Sequence, residues 1–420
     1  MGSKKTLNRR DWLYAVTATI GGTAGCTTPL KNSSGTDSSS SSWRTFRANS
    51  RNTGFVPNET GPIDEPDEKW TVSTEGGVWG SPVIADGHVY IGSMDRTLYA
   101  IDAVTGEVDW TYETDGPIQS TPTVSDDRVY FGSFDKHVYC LDAETGKTQW
   151  TYETEGLVNS SPKVDGTTLY IGCGAIGVAE VHAFLDSTGL EQDGGGLYAL
   201  DVETGEREWR RFSERLVSST PAVVDGAVYI GLDSRGDQTP RISSLKASDG
   251  SIRWHHETDS GVITSPSMPS NTVYAASFAG TVYALAADTG DEEWTLDTGP
   301  GDIRGSTAVT DESVYVPVSG NRPEEENPVL YSLSLDGDMQ WEHEINHARQ
   351  MGGSPAVTSE AVYIGTHHHT DVGGMYAISH EGERLWSQAL PWEEGVGSSA
   401  AVHDGTVYYG ADHNTVYAME

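Results

Sequence analysis

The chain has 420 residues, of which 62 are Asp or Glu and 26 are Lys or Arg, giving a formal net charge of -36. That balance excludes nucleic acid as a partner, because phosphate backbones are bound by clustered Lys and Arg that displace counterions. Three scattered Cys exclude a disulfide scaffold and a Cys-based zinc ribbon.

The N-terminus reads as an address. Arg9-Arg10 precede a weakly apolar stretch from Leu13 to Ala24, too short for a bilayer span of ~20 apolar residues. It resembles a twin-arginine signal, and Ala24-Gly25-Cys26 resembles a lipobox, with Thr23 where Leu is usual. Residues 1–26 are therefore expected to be a signal ending on Cys26 as lipid anchor. Residues 27–42 are Ser-rich and nearly devoid of apolar groups, a composition that stays a flexible linker. Lys is rare, with eight in the chain, and the composition resembles that of salt-loving archaea. A charge of -36 strains a compact fold in dilute buffer, but at ~1 M salt the Debye length is about 3 Å.

Residues 43–420 are repetitive. Ser81-Pro82-Val83-Ile84, an Asp86-Gly87 turn and Val89-Tyr90-Ile91-Gly92 return from Thr121-Pro122, Ser161-Pro162, Thr220-Pro221, Ser265-Pro266, Thr307-Ala308, Ser354-Pro355 and Ser399-Ala400. Each copy leads to Ala100-x-Asp102-x-x-Thr105-Gly106-x-x-x-Trp110 or a variant of it. Counting Trp70, the eight tryptophans Trp70, Trp110, Trp150, Trp209, Trp254, Trp294, Trp341 and Trp386 are spaced 40, 40, 59, 45, 40, 47 and 45 residues apart. Short β-branched and aromatic runs separated by Asp-Gly and Thr-Gly turns predict four antiparallel strands per copy. Four strands per ~40 residues is the signature of a β-propeller. The eighth copy stops at Glu420 before its own Trp strand. The strand around Trp70 is expected to complete it, closing an all-β ring of eight blades without exposed edges.

The Ala-x-Asp-x-x-Thr-Gly-x-x-x-Trp pattern resembles the docking motif of the PQQ-like (pyrroloquinoline quinone repeat) propellers, and Trp43 through Gly54 resembles their lead-in. The resemblance implies that the eight Trp dock blades through an indole N–H that needs an acceptor. It also brings PQQ into view, but the PQQ dehydrogenases carry an adjacent Cys-Cys pair, an Asp base and Glu and Asn calcium ligands. Here Cys140 and Cys173 are separated, so PQQ is disfavoured and no cofactor is expected. Non-catalytic members fit better, among them the lipid-anchored outer-membrane barrel-assembly propeller, whose plan can be carried over but whose role cannot be carried into an archaeon.

Insertions between the second and third strands of blades three, four, six and seven fall in one loop class, hence on one face. They and the loops entering the inner strands supply a candidate binding face: Trp79, Gln119, Asn159, His182, Arg235, Arg304, His347, Arg349, His367, His368 and His369. Arg304 stands where Val78, Ile118, Val158 and Val217 stand in other copies. It reads either as an axial contact for an anion or carboxylate or as a rim partner of Asp302. The His367-His368-His369 run is not read as a metal site, because consecutive loop residues rarely converge and no fixed ligand spacing accompanies them. The chain is expected to be a monomeric, extracytoplasmic propeller, tethered to the membrane by lipid only. It would bind a protein or a cell-surface polymer without catalysis; a quinoprotein-like or polysaccharide-active enzyme is the alternative.

Overall fold

The computed structural model describes residues 4–6, 43–174, 194–213, 215–233, 238–299, 301–320, 327–346, 348, 350–367, 373–390 and 395–420. Eight antiparallel sheets are arranged as blades in sequence order, and among the described residues there is no helix long and apolar enough to cross a membrane. In the first blade, Val83–Ala85, His88–Gly92, Thr97–Asp102 and Val108–Glu113 follow one another from axis to rim. The last blade is shared between the ends of the chain: Glu68–Ser73 pairs with Thr415–Met419, with Trp70 opposite Ala418. Eight blades closed by an N-terminal strand is the architecture that the repeat count requires. Lys4–Thr6 additionally runs parallel to the outer strand Glu292–Asp297.

The repeat motif is explained by what its residues touch. Asp102 Oδ1 accepts the amides of Val104 and Thr105 and the Thr105 hydroxyl, which hold its carboxyl below the usual carboxylate range. The turn then enters Gly106 at φ 75°, and a Cβ there would stand 2.8 Å from the ring of Trp70 in the preceding blade. Ala103 O receives the indole N–H of that same Trp70 at 3.0 Å. The pattern repeats from blade to blade, with Trp110 to Ala143 at 3.1 Å, Trp150 to Val202 at 2.9 Å, and Trp209 to Ala247 and Trp254 to Ala287 at 2.8 Å. Trp294 reaches Leu335 at 2.8 Å and Trp341 reaches His380 at 2.7 Å. Trp386 faces the split blade, where Pro62 O of the N-terminal segment substitutes for the missing turn at 2.7 Å.

The segment before Glu68 makes a full circuit of the axis. Inner strands are edge strands, and their unpaired amides take carbonyls from it: Ile84 N from Trp43, Val124 N from Arg44, Val223 N from Ser50, Met268 N from Arg51, Val309 N from Thr53 and Val357 N from Gly54. The third blade uses a side chain instead, Lys163 Nζ, which is fully buried and donates to Phe46 O, Asn49 O and Thr45 Oγ1. The eighth is tied by Glu59, whose carboxylate meets His403 Nδ1 at 2.9 Å and Asp404 N at 3.1 Å. Arg47 is buried at the centre, donating to Pro355 O at 2.6 Å, Thr307 O at 2.5 Å and Thr53 O at 3.3 Å. Burial lowers its pKa to about 9, and burial with the neighbouring Arg47 charge lowers Lys163 well below the usual lysine value. Arg47, Ala48 and Asn52 have φ of 59°, 68° and 54°. This left-handed backbone is costly outside glycine and persists only where the surroundings over-determine it.

Candidate functional site

The opposite end of the axis is open. As each chain enters an inner strand, side chains alternate with period two. Val78, Ile118, Val158, Val217, Val262, Ile303, Met351 and Val396 point into the interfaces between blades and are fully buried. A Cβ at Gly92 would come within 2.3 Å of Ile118, which is why the second strand keeps a glycine there. The next residue of each copy faces the axis: Trp79, Gln119, Asn159 and Ser218 in blades one to four, then Ile263, Arg304, Gly352 and Gly397.

Two residues further stands a hydroxyl in every blade. Ser81 N donates to Thr121 Oγ1 at 3.0 Å, and Thr121 N donates to Ser161 Oγ at 3.1 Å. The links continue through Thr220, Ser265, Ser306, Ser354 and Ser399 at 2.8 to 3.1 Å. Ser399 N to Ser81 Oγ at 3.0 Å closes the belt. Rim, belt and Phe46 of the N-terminal circuit as floor enclose a cup of about 210 Å³.

Two expectations need correcting in blade six. Ala308 pairs with Tyr315 as Val83 pairs with Tyr90, so Ser306, not Thr307, is the belt hydroxyl, and Thr307 occupies the proline position. The copy lacks that Pro, and its Thr-Ala pair is a decoy one residue late. By the same shift Ile303 holds the Val position, and Arg304 is the counterpart of Trp79. Arg304 lines the cup, pairs with Asp302 at 3.3 Å and lies 5.0 Å over the Phe278 ring.

Trp79, Gln119, Asn159 and Arg304 thus meet on one cup. His367 lies behind its rim, its Nδ1 2.5 Å from Asp412 Oδ2. Cys26, His182, Arg235, His347, Arg349, His368 and His369 lie outside the described residues, as do most of residues 1–26 and all of 27–42. The sequence reading missed the belt as a wall, the Phe46 floor, Lys163, Arg47 and Asp412. The belt had a visible signal, the Ser or Thr beginning each copy, but that signal was absorbed as a repeat marker. Asp412 had none, because nothing local distinguishes it from the many surface acids.

PQQ would bring three carboxylates and, in dehydrogenases, a calcium ion. The described residues do not fit it. Arg304 is the cationic side chain on the cup and is already paired with Asp302. Among the described residues no group of three or more His, Cys, Asp or Glu could hold a metal. Cys140 and Cys173 are free, buried thiols, with burial raising them to about 12 and about 11.

The family of the outer membrane protein assembly factor BamB matches residues 34–193 and 193–420. Among curated proteins, the serine/threonine-protein kinase AfsK of Streptomyces griseus is 33% identical over 115 residues, 24% of this chain and 13% of the kinase. The chain therefore spans a small part of that relative's length. Quinohemoprotein alcohol dehydrogenase from Comamonas testosteroni superposes with a TM-score of 0.74 at 17% identity, over 90% of this chain and 80% of that one. BamB from Moraxella catarrhalis superposes with a TM-score of 0.63 at 15% identity, over 85% and 100%. At such identities the structures speak for the fold alone. With both halves of the chain matched, this propeller belongs to the family of the outer membrane protein assembly factor BamB.

Proposed function

We propose that the chain is a non-catalytic binding or scaffolding module, held outside the cytoplasm by a lipid on Cys26, whose insertion face and axial cup take a protein or surface polymer. The observation that carries this reading is the chemistry of the cup. Apart from Ile263 and glycines, its described wall consists of hydroxyls, two amides, an indole and one paired guanidinium, groups that bind through hydrogen bonds and stacking. The family match supports a scaffold. The charge of -36 supports residence in high salt, where self-repulsion is screened.

The test is titration of the purified protein with PQQ and calcium, followed by dye-linked alcohol oxidation. No saturable quinone absorbance and no dye reduction are expected; turnover with bound quinone would overturn the non-catalytic reading. Cys26→Ser is expected to move the protein from the membrane fraction to the medium, and retention at the membrane would remove the lipid anchor from the proposal.

A further inference from the structure

The rim of the cup is not eightfold. Blades seven and eight carry Gly352 and Gly397 where the others carry side chains. A Cβ at Gly352 would stand 2.7 Å from His367 Nε2, and one at Gly397 would stand 2.6 Å from Asp412 Oδ1 and 3.3 Å from Trp79 Cδ1. Contacts this close leave no room for a side chain at either position, so the wall of the cup here is bare backbone with the His367–Asp412 pair packed directly behind it.

Hydrogen-bonding capacity around the cup is unspent in both senses. Asn159, on its wall, has a buried Oδ1 without a partner among the described residues, and such an atom costs free energy until a donor reaches it. Each belt hydroxyl accepts an amide from the neighbouring blade and, among the described residues, donates to no protein group, leaving a ring of O–H protons for a ligand's acceptors. A ligand that answers both carries many donors and acceptors on a compact frame, with an apolar face for Trp79. Charge selects further: the Arg304 guanidinium on the wall is already paired with Asp302, so a neutral ligand is favoured over an anion. The cup holds about 210 Å³, below the ~300 Å³ where drug-sized pockets begin and suited to one sugar ring.

We infer that the axial cup forms a saccharide site, taking one neutral sugar unit of a polymer stacked on Trp79 and hydrogen-bonded to the belt hydroxyls and Asn159. This rests on the reading of the open end as a binding face and names its ligand.

The test uses the full chain in high-salt buffer. Saturation-transfer NMR and calorimetry would be run with D-glucose, D-galactose, N-acetyl-D-glucosamine, D-glucuronate and sulfate as probes, with melting temperature as a control on folding. A neutral sugar is expected to bind saturably without competition from sulfate. Trp79→Ala and Asn159→Ala should each weaken it about tenfold, and Ile263→Trp, which fills the cup, should abolish it. Asp126→Ala, on the opposite face, should change nothing. No saturable sugar binding, or binding unchanged in folded Trp79→Ala and Ile263→Trp, would overturn the site. Preference for D-glucuronate or sulfate, lost in Arg304→Ala, would overturn the neutral assignment. Dye reduction on sugar binding would sink the non-catalytic reading yet leave the sugar site standing. Protein cross-links at the rim with no sugar bound would do the reverse.

Discussion

The two ends of the propeller axis are built from the same eight inner strands, yet they use most of their polar groups differently, although Trp43 Nε1, Asn52 Oδ1 and Thr307 Oγ1 at the filled end also lack a partner among the described residues. At the end bearing the Asp-Gly turns, the circuit from Trp43 to Thr60 binds free edge amides and buries Arg47 and Lys163 against backbone carbonyls. At the insertion end, the belt hydroxyls each keep a proton to give, and Asn159 and Asp412 keep an acceptor. In this chain the bonds of the filled end help to offset the entropy of ordering a long chain, while the cup-facing hydroxyls of the other end stay available for binding.

The contrast makes graded predictions. Removing Arg47 strands the carbonyls of Pro355 and Thr307 in a buried site, so Arg47→Ala should cost about 3 kcal/mol in denaturant unfolding. Ser161→Ala removes one belt acceptor, that of Thr121 N, beside the open cup and should cost about 1 kcal/mol. Equal losses would mean that the two ends are not energetically distinct. Arg304→Ala deletes a half-exposed pair with Asp302, and less than about 0.5 kcal/mol should be lost. A larger loss would make Arg304 part of the scaffold rather than of the cup.

The smallest effect is in the turns. Asp102, Asp142 and Asp201 are held below the usual carboxylate range by hydrogen bonds from Thr105, Thr145 and Thr204. A folded-state pKa below the unfolded value gives stability that is complete above the unfolded value of ~3.9 and fades as pH falls through the folded values. The melting temperature should therefore decline below about pH 4, with a shallower decline in Asp102→Asn. An identical slope would show that this turn does not couple to unfolding.

Legibility followed repetition. Blade number, ring closure and the docking tryptophans were readable because eight copies average out local ambiguity, and Trp70 was paired with the C-terminus by simple subtraction. The cup was half readable: Trp79, Gln119 and Asn159 were selected by their place in the loops entering the inner strands, and Arg304 as a departure from the repeat. Arg304 was misregistered because blade six lacks its proline. The filled end was illegible, because carbonyls of Trp43 to Gly54 bind amides tens to hundreds of residues away and backbone groups leave no mark in composition. Lys163 was the missed clue, a lysine at a position where other copies carry small or branched side chains such as Val83 and Ala222. His367 with Asp412 was equally hidden, since the partners belong to neighbouring blades and meet only when the ring has formed.

The most direct test compares the two ends in place. A photo-crosslinking residue at Gln119, on the rim, and another at Asp126, in a turn of the opposite face, would be activated in native membranes at physiological salt. The expected result is a discrete cross-linked species from Gln119 and none from Asp126. Cross-links from Asp126 alone would place binding at the filled end and contradict the assignment of function to the open one.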